Sequence, residues 1–249
     1  MILLLDAGNS RIKWGIWQSG AWQGHGAVPT TEPEALQGVL AETLPAWVGI
    51  SCVAGAEVRA RLAAVCAASG LEPYWLLPAA AGHGLTNAYE RPETLGADRY
   101  AALIACVRAG HGPCVVASAG TAVTIDALAG NGEFLGGMIL PGANLMRQAL
   151  CSGTAAVAAQ AGTWQLFPRR TGDAVETGIW TAISSSVQAM QIRLAGGRGQ
   201  VATVVTGGDA AILAARLSAG EPAGPVITSE YLVLEGLLWV ARDLDVPGV

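Results

Sequence analysis

The feature that most restricts this chain is a pattern that occurs twice. Residues 1–17, MILLLDAGNSRIKWGIW, run apolar to Leu5, break at Asp6-Ala7-Gly8-Asn9-Ser10, and resume with alternating Ile12, Trp14 and Ile16. Alternation of period two marks a half-buried strand, so the stretch reads as a β-hairpin with a polar turn. The segment CVVASAGTAVTIDAL repeats it: an apolar strand from Cys114, a small-residue turn Ala119-Gly120-Thr121, then Val123 and Ile125, with Gly120 standing 112 residues after Gly8. Two such hairpins at matching places point to a duplicated fold with a cleft between its halves. A chance likeness of two short hairpins is the competing reading.

The first turn holds an acid, a glycine, an amide and a hydroxyl. Gly8 permits positive φ and removes a side chain that would keep a phosphate from the backbone, while Asn9 and Ser10 add donors. Asp6, at the strand end, suits a hydrated divalent cation. These parts fit the tail of a nucleotide. An Asp/Gly/Asn turn without any ligand has the same composition, and taken alone the motif favours that plainer reading.

Around the hairpins the chain alternates strands and helices. AWQGHGAV is a third strand, Thr31-Glu32-Pro33-Glu34 opens a helix to about Thr43, AWVGISCV is a buried strand, Glu57 to Ser69 is a helix, and Tyr74 to Leu77 is a short strand. Residues Pro78 to Pro92 read as a long loop, followed by a helix from near Leu95 to near Gly110 that opens Gly96-Ala97-Asp98-Arg99-Tyr100. An acid in that first turn is also ordinary capping chemistry. The second half repeats the order, with a third strand from Glu133 to Leu140 and a helix from Pro141-Gly142 to Leu150. A loop, Cys151 to Arg170, precedes a long helix from Thr171 that carries Val175, Ile179, Ile183, Val187, Met190 and Leu194, a stripe for a core or a dimer face. VATVVTGGDAAILAARL is strand, turn and helix, with Gly207-Gly208-Asp209 either a nucleoside contact or a capped turn. The last helix runs from Glu230 to Asp243.

With 52% hydrophobic and 13% charged residues, a membrane protein has to be excluded first. AALIACV, between Arg99 and Arg108, is too short to span a bilayer, and LVLEGLLWVA contains Glu235. MILLL has no basic leader before Asp6 and does not read as a signal peptide. Five scattered cysteines read as reduced core residues of a cytoplasmic protein, without zinc spacing, and His25, His83 and His111 as isolated loop or surface residues. A net charge of −5 with fourteen basic residues gives no footprint for nucleic acid. Neither G-x-x-x-x-G-K-S/T nor G-x-G-x-x-G occurs.

The first turn, GADRY, GTAVTID, LGGMILPG and TGGDA, in that order, resemble the type III pantothenate kinase family of the actin-like ATPase superfamily, over nearly the whole length. The resemblance implies an α/β chain of two ribonuclease H-like domains, residues 1–110 and 111–249. Each would be a mixed, mainly five-stranded sheet flanked by helices, with an interdomain cleft. It implies transfer of the ATP γ-phosphoryl group to the terminal hydroxyl of pantothenate by a homodimer using Mg2+ and a monovalent cation, K+ or NH4+. Asp98 matches the general base. Tyr89, Gly96, Ala97, Arg99 and Thr171 match the pantothenate pocket, Arg99 pairing with the substrate carboxylate and Thr171 reaching in from the other subunit. Asp6, Gly8, Asn9, Ser10, Arg11 and Lys13 match the first ATP loop, with Asp6 on Mg2+ through water. Gly120 and Thr121 match the second loop, Gly207 and Gly208 the adenosine contact, and Asp126 the monovalent cation site. Ser118 stands where the family commonly has an acid. Lys13 and Arg11 stand where small or apolar residues are common, and Lys13 either approaches a phosphate or faces solvent. A kinase of the same superfamily with another acceptor, or a non-catalytic regulator of the same fold, is the alternative.

Overall fold

The structure, a computed structural model, describes residues 1–153, 161–197, 199–219 and 224–249. The strands are β1 (Ile2–Ala7), β2 (Arg11–Gln18), β3 (Ala21–Pro29), β4 (Trp47–Cys52), β5 (Tyr74–Trp75), β6 (Ala81–Gly82), β7 (Leu85–Asn87), β8 (Cys114–Ala119), β9 (Ala122–Leu128), β10 (Glu133–Pro141), β11 (Ala202–Thr206) and β12 (Val226–Thr228). The α-helices are α1 (Leu36–Thr43), α2 (Gly55–Ala68), α3 (Ala97–Arg108), α4 (Ala143–Gly153), α5 (Thr171–Ala195), α6 (Ala210–Ala219) and α7 (Leu232–Asp243). The chain divides into two compact units, Met1–Gly110 with Tyr231–Val249, and His111–Glu230.

In the first unit the strand order is β3-β2-β1-β4-β5, antiparallel on the β3 side and parallel on the β5 side. In the second, the strands run β10-β9-β8-β11-β12 with the same pattern of directions. Element for element these orders coincide. The duplicated α/β architecture follows from the two hairpins, because each seeds a meander to which parallel strands are added through helical crossovers.

Alternation along β1 decides which side chains meet which helices. Leu3, Leu5 and Ala7 join Val48, Ile50, Leu36, Leu40 and Leu62 in one buried cluster. Ile2, Leu4 and Asp6 therefore point to the other face, where α3 and α7 pack against β1 and β4. Helix α7 lies so close to α3 that a Cβ at Gly236 would overlap the Ala101 carbonyl. Gly236→Ala should therefore cost on the order of 1–3 kcal/mol of stability by pushing α3 outward, read as a lower denaturant midpoint. An unchanged midpoint would mean the two helices have slack.

Several expectations need correction. The last helix belongs to the first unit, so residues 111–249 are not one body. Residues Pro78 to Pro92 are not all loop, since β6 and β7 pair there as a short hairpin. Cys151 lies in α4, and part of the loop expected after it falls outside the described residues. His25 is in β3 with its ring stacked 4.0 Å from Tyr231, and His83 Nδ1 lies 2.8 Å from Asp243 Oδ2, so neither is isolated. All five cysteines are free. Among the described residues no helix is long and apolar enough to cross a membrane.

Candidate functional site

In the first unit the carboxyl end of β1 and the amino end of α3 bring two carboxylates into electrostatic range. Asp6 follows four buried aliphatic residues on a strand whose second face is covered by α3 and α7, so its charge is poorly solvated. Burial, and then the Asp98 charge, push Asp6 up from 3.8 to about 7, while Lys13 acts in the opposite direction. Lys13 is Asp6's cross-strand partner in the β1–β2 register and is half-buried.

Asp98 is the second residue of α3. Its Oδ1 accepts the Arg99 backbone N–H at 2.8 Å, which satisfies one of the unpaired donors of the first helical turn. Capping and availability for chemistry therefore coexist in this side chain. Burial raises its pKa, and the Arg99 N–H and guanidinium act against that rise. Gly96 precedes it with no spare room, because a Cβ there would stand 2.5 Å from Asp98 Oδ1. Ala97 is buried beneath.

Arg99 is 6% exposed. Its Nη1 donates to the Tyr89 hydroxyl at 2.9 Å, and its guanidinium lies 5.6 Å from the Tyr89 ring centroid. Tyr89 is held in turn: its N–H donates to Asn87 Oδ1 at 3.1 Å, and Asn87 Nδ2 donates to the Pro92 carbonyl at 3.2 Å. The β6–β7 hairpin and the turns after it thus fix the Tyr89–Arg99 pair. Asn87 was not singled out in the sequence, where the segment reads as featureless loop.

The first turn is closed by Gly8 N–H donating to the Arg11 carbonyl at 3.1 Å, with Asn9, Ser10 and Arg11 exposed. In the second unit Gly120 N–H donates to the Ala122 carbonyl at 3.0 Å, with Thr121 exposed. Neither turn glycine has positive φ, so the freedom Gly8 allows is not used, and a Cβ would sit 3.4 Å from its nearest neighbour at Gly8 and 3.8 Å at Gly120. The fold itself does not demand these glycines. What their bareness provides is open backbone.

Gly207 differs, with φ +99° and no room for a Cβ against the Ala119 backbone. Asp209 N–H donates to the Ala119 carbonyl at 3.0 Å, so Gly207 and its exposed neighbour Gly208 lie directly beside the second turn. Ser118, the penultimate residue of β8, lies between Thr124 and Thr206 in register. Asp126 is 1% exposed within β9, some distance along the strand from the turn. Thr171 opens α5 and lines an apolar groove of about 870 Å3 with Leu145, Met146, Ala174 and Val175. The site residues therefore form two groups, one about Asp6 and Asp98 in the first unit and one about Gly120 and Gly207 in the second. Asp126 stands apart from the turn in the second, four residues along β9 from Ala122.

The family model of type III pantothenate kinase matches residues 2–193. A type III pantothenate kinase of Thiobacillus denitrificans is 42% identical over 241 residues, covering 96% of each chain. One from an Azoarcus species is 41% identical over 245 residues, 97% of this chain and 90% of that one. Among solved structures, a Campylobacter jejuni protein assigned to the Baf family of transcriptional activators aligns over 98% of each chain with a TM-score of 0.65 and 21% identity, a likeness of fold. With its relatives this similar along almost their full length, the chain belongs to the type III pantothenate kinase family.

Proposed function

We propose that the chain is an ATP-dependent pantothenate kinase that phosphorylates the terminal hydroxyl of pantothenate to 4'-phosphopantothenate, the first step towards coenzyme A. The observation that carries this reading is the Asp98–Arg99 pair: adjacent residues at a helix start, one a carboxylate beside Asp6, the other a buried guanidinium oriented by Tyr89. A planar guanidinium binds a carboxylate through paired, charge-assisted hydrogen bonds, so Arg99 takes the acid end of pantothenate, with Tyr89, Gly96 and Ala97 as the surrounding wall. Asp98 Oδ1 is engaged by the helix, which leaves Oδ2 for the proton of the attacking hydroxyl. Little further covalent help is required, since phosphoryl transfer rests on alignment and charge screening.

The donor set around Asp6 fits Mg2+. It offers a hard oxygen ligand whose charge burial and Asp98 disfavour, and a cation there relieves both effects. Mg2+ usually keeps several waters and is held through one or two carboxylates, so Asp6 is a sufficient protein anchor for it. When bound, the ion neutralises charge on the phosphates. Gly8, Asn9, Ser10, Arg11 and Lys13 of the first turn, and Gly120 and Thr121 of the second, are the proposed phosphate contacts. Gly207 and Gly208 take the adenosine. Asp126 is the proposed carboxylate for K+ or NH4+.

A homodimer is proposed through α4 and α5. The apolar groove lined by Thr171, and the exposed Leu145 and Leu150 beside it, support a second copy seated there. A biosynthetic role of this kind belongs in the cytoplasm. Expression in a bacterial strain that lacks its own pantothenate kinase should restore growth. Folded, expressed protein without growth would contradict the reading and favour a regulator.

A further inference from the structure

Thr30 ends the meander of the first unit, one residue past β3, and plays no part in the roles described so far. It is 6% exposed. Its hydroxyl donates to the Gly8 carbonyl at 2.7 Å and its backbone N–H donates to the Ser10 carbonyl at 3.2 Å. Two of the three carbonyls of the Gly8-Asn9-Ser10 turn are therefore tied to one residue 22 positions away.

The second unit supplies a control within the same chain. Gly142 follows Gly120 at the same interval and likewise ends its meander, one residue past β10. Its N–H donates to the Thr121 carbonyl at 2.9 Å, matching the Thr30 N–H bond. A side chain cannot be accommodated there, because a Cβ would overlap the Gly120 carbonyl. The difference lies in the turns. Ala7 pairs with Ile12 but Ala119 with Val123, so the first turn is longer by one residue. A longer turn has more backbone freedom to lose on becoming a receptor. In the second unit backbone packs directly on backbone, and in the first the Thr30 hydroxyl spans the gap.

We infer that Thr30 is a positioning residue for the nucleotide phosphates, holding the carbonyls of the first turn on its own side so that an approaching anion meets N–H groups rather than carbonyl oxygens. A carbonyl turned towards a phosphate repels it, whereas a nest of N–H groups attracts it. The inference rests on the first turn being a phosphate loop, as proposed above.

The test uses the full-length protein and Thr30→Val, which keeps the shape and removes the hydroxyl, with Thr30→Ser as the variant that restores it. ATP affinity is measured directly by calorimetric titration with Mg2+ present, and steady-state kinetics are run alongside. Thr30→Val should weaken ATP binding about tenfold, the worth of one buried hydrogen bond, and leave the KM for pantothenate unchanged. Thr30→Ser should bind ATP within about twofold of the parent chain. Loss of thermal stability in Thr30→Val with unchanged ATP affinity would overturn the inference, as would Thr30→Ser behaving like Thr30→Val. A parent chain that binds ATP but fails to phosphorylate pantothenate would instead count against the acceptor assignment, while the Thr30 comparison on ATP binding still stands or falls by itself.

Discussion

Replacing Asp98 by asparagine should lower kcat by ~10²–10⁴-fold while leaving the fold and ATP binding in place. The amide oxygen of asparagine can still accept the Arg99 N–H that Asp98 Oδ1 accepts at 2.8 Å, so the first turn of α3 keeps its cap. Stability should change by no more than ~1 kcal/mol, the scale of a capping interaction. What is lost is the group proposed to take the proton from the acceptor hydroxyl. Arg99→Ala should behave differently, raising the KM for pantothenate with a smaller effect on kcat, because its hydrogen bonds to a carboxylate form on binding rather than on transfer. The pH profile adds a second check. Burial holds the Asp98 proton above the ordinary carboxylate value of 3.8, and the base acts only when deprotonated. Activity should therefore fall as pH drops through that raised value, and the part of the acid limb that Asp98 contributes should vanish from the residual rate of Asp98→Asn, leaving only the part due to Asp6. Wild-type turnover in Asp98→Asn would remove Asp98 from the chemistry.

Asp6→Asn should have two effects of opposite sign. Activity should collapse, because the variant loses the carboxylate proposed for Mg2+. Stability should rise at alkaline pH. In the folded chain Asp6 is pushed to about 7, against 3.8 for the unconstrained group, so folding takes up a proton between these values. The stability tied to that proton is present at low pH and is lost as pH rises through the window. Above pH 7 the buried charge costs at most about 4 kcal/mol, with the exposed edge of the side chain reducing that figure. In metal-free buffer the asparagine variant should match the parent chain near pH 4 and exceed it in denaturant midpoint near pH 8. A variant less stable than the parent at pH 8 would make Asp6 a structural residue and would count against its place in the site.

How much of this was readable beforehand depends on whether the signal is local. The two hairpins are written in a period-two pattern ending in small polar residues, and that pattern points to a duplicated fold, with which the matching strand orders of the two units agree. Asp98 and Arg99 stand out locally as an acid and an arginine side by side at the start of an apolar helix, but their site roles come from the resemblance of GADRY to the family motif. Thr30 and Asn87 do not stand out, since each acts through a partner's backbone and nothing in Thr-Thr-Glu-Pro or Leu-Thr-Asn-Ala marks a hydrogen bond to a distant carbonyl. The one-residue difference between the turns was hidden for a similar reason: both read as small-residue breaks, and only the register distinguishes them. The last helix was given to the wrong unit because an apolar stripe shows that a helix is buried without showing which sheet it covers. At Gly8 the freedom to adopt positive φ is not used, which leaves the missing side chain as the feature of that glycine that bears on the proposed phosphate contact.

Assignment of the acceptor is tested most directly by incubating the purified chain with ATP, Mg2+ and pantothenate, with acetate and glucose in parallel, and following the products by phosphorus NMR and mass spectrometry. A phosphomonoester on the terminal hydroxyl of pantothenate, formed together with ADP in equal amount and absent with acetate or glucose, is the predicted result. ADP released without that ester, or phosphate appearing on the other acceptors at a comparable rate, would contradict the account.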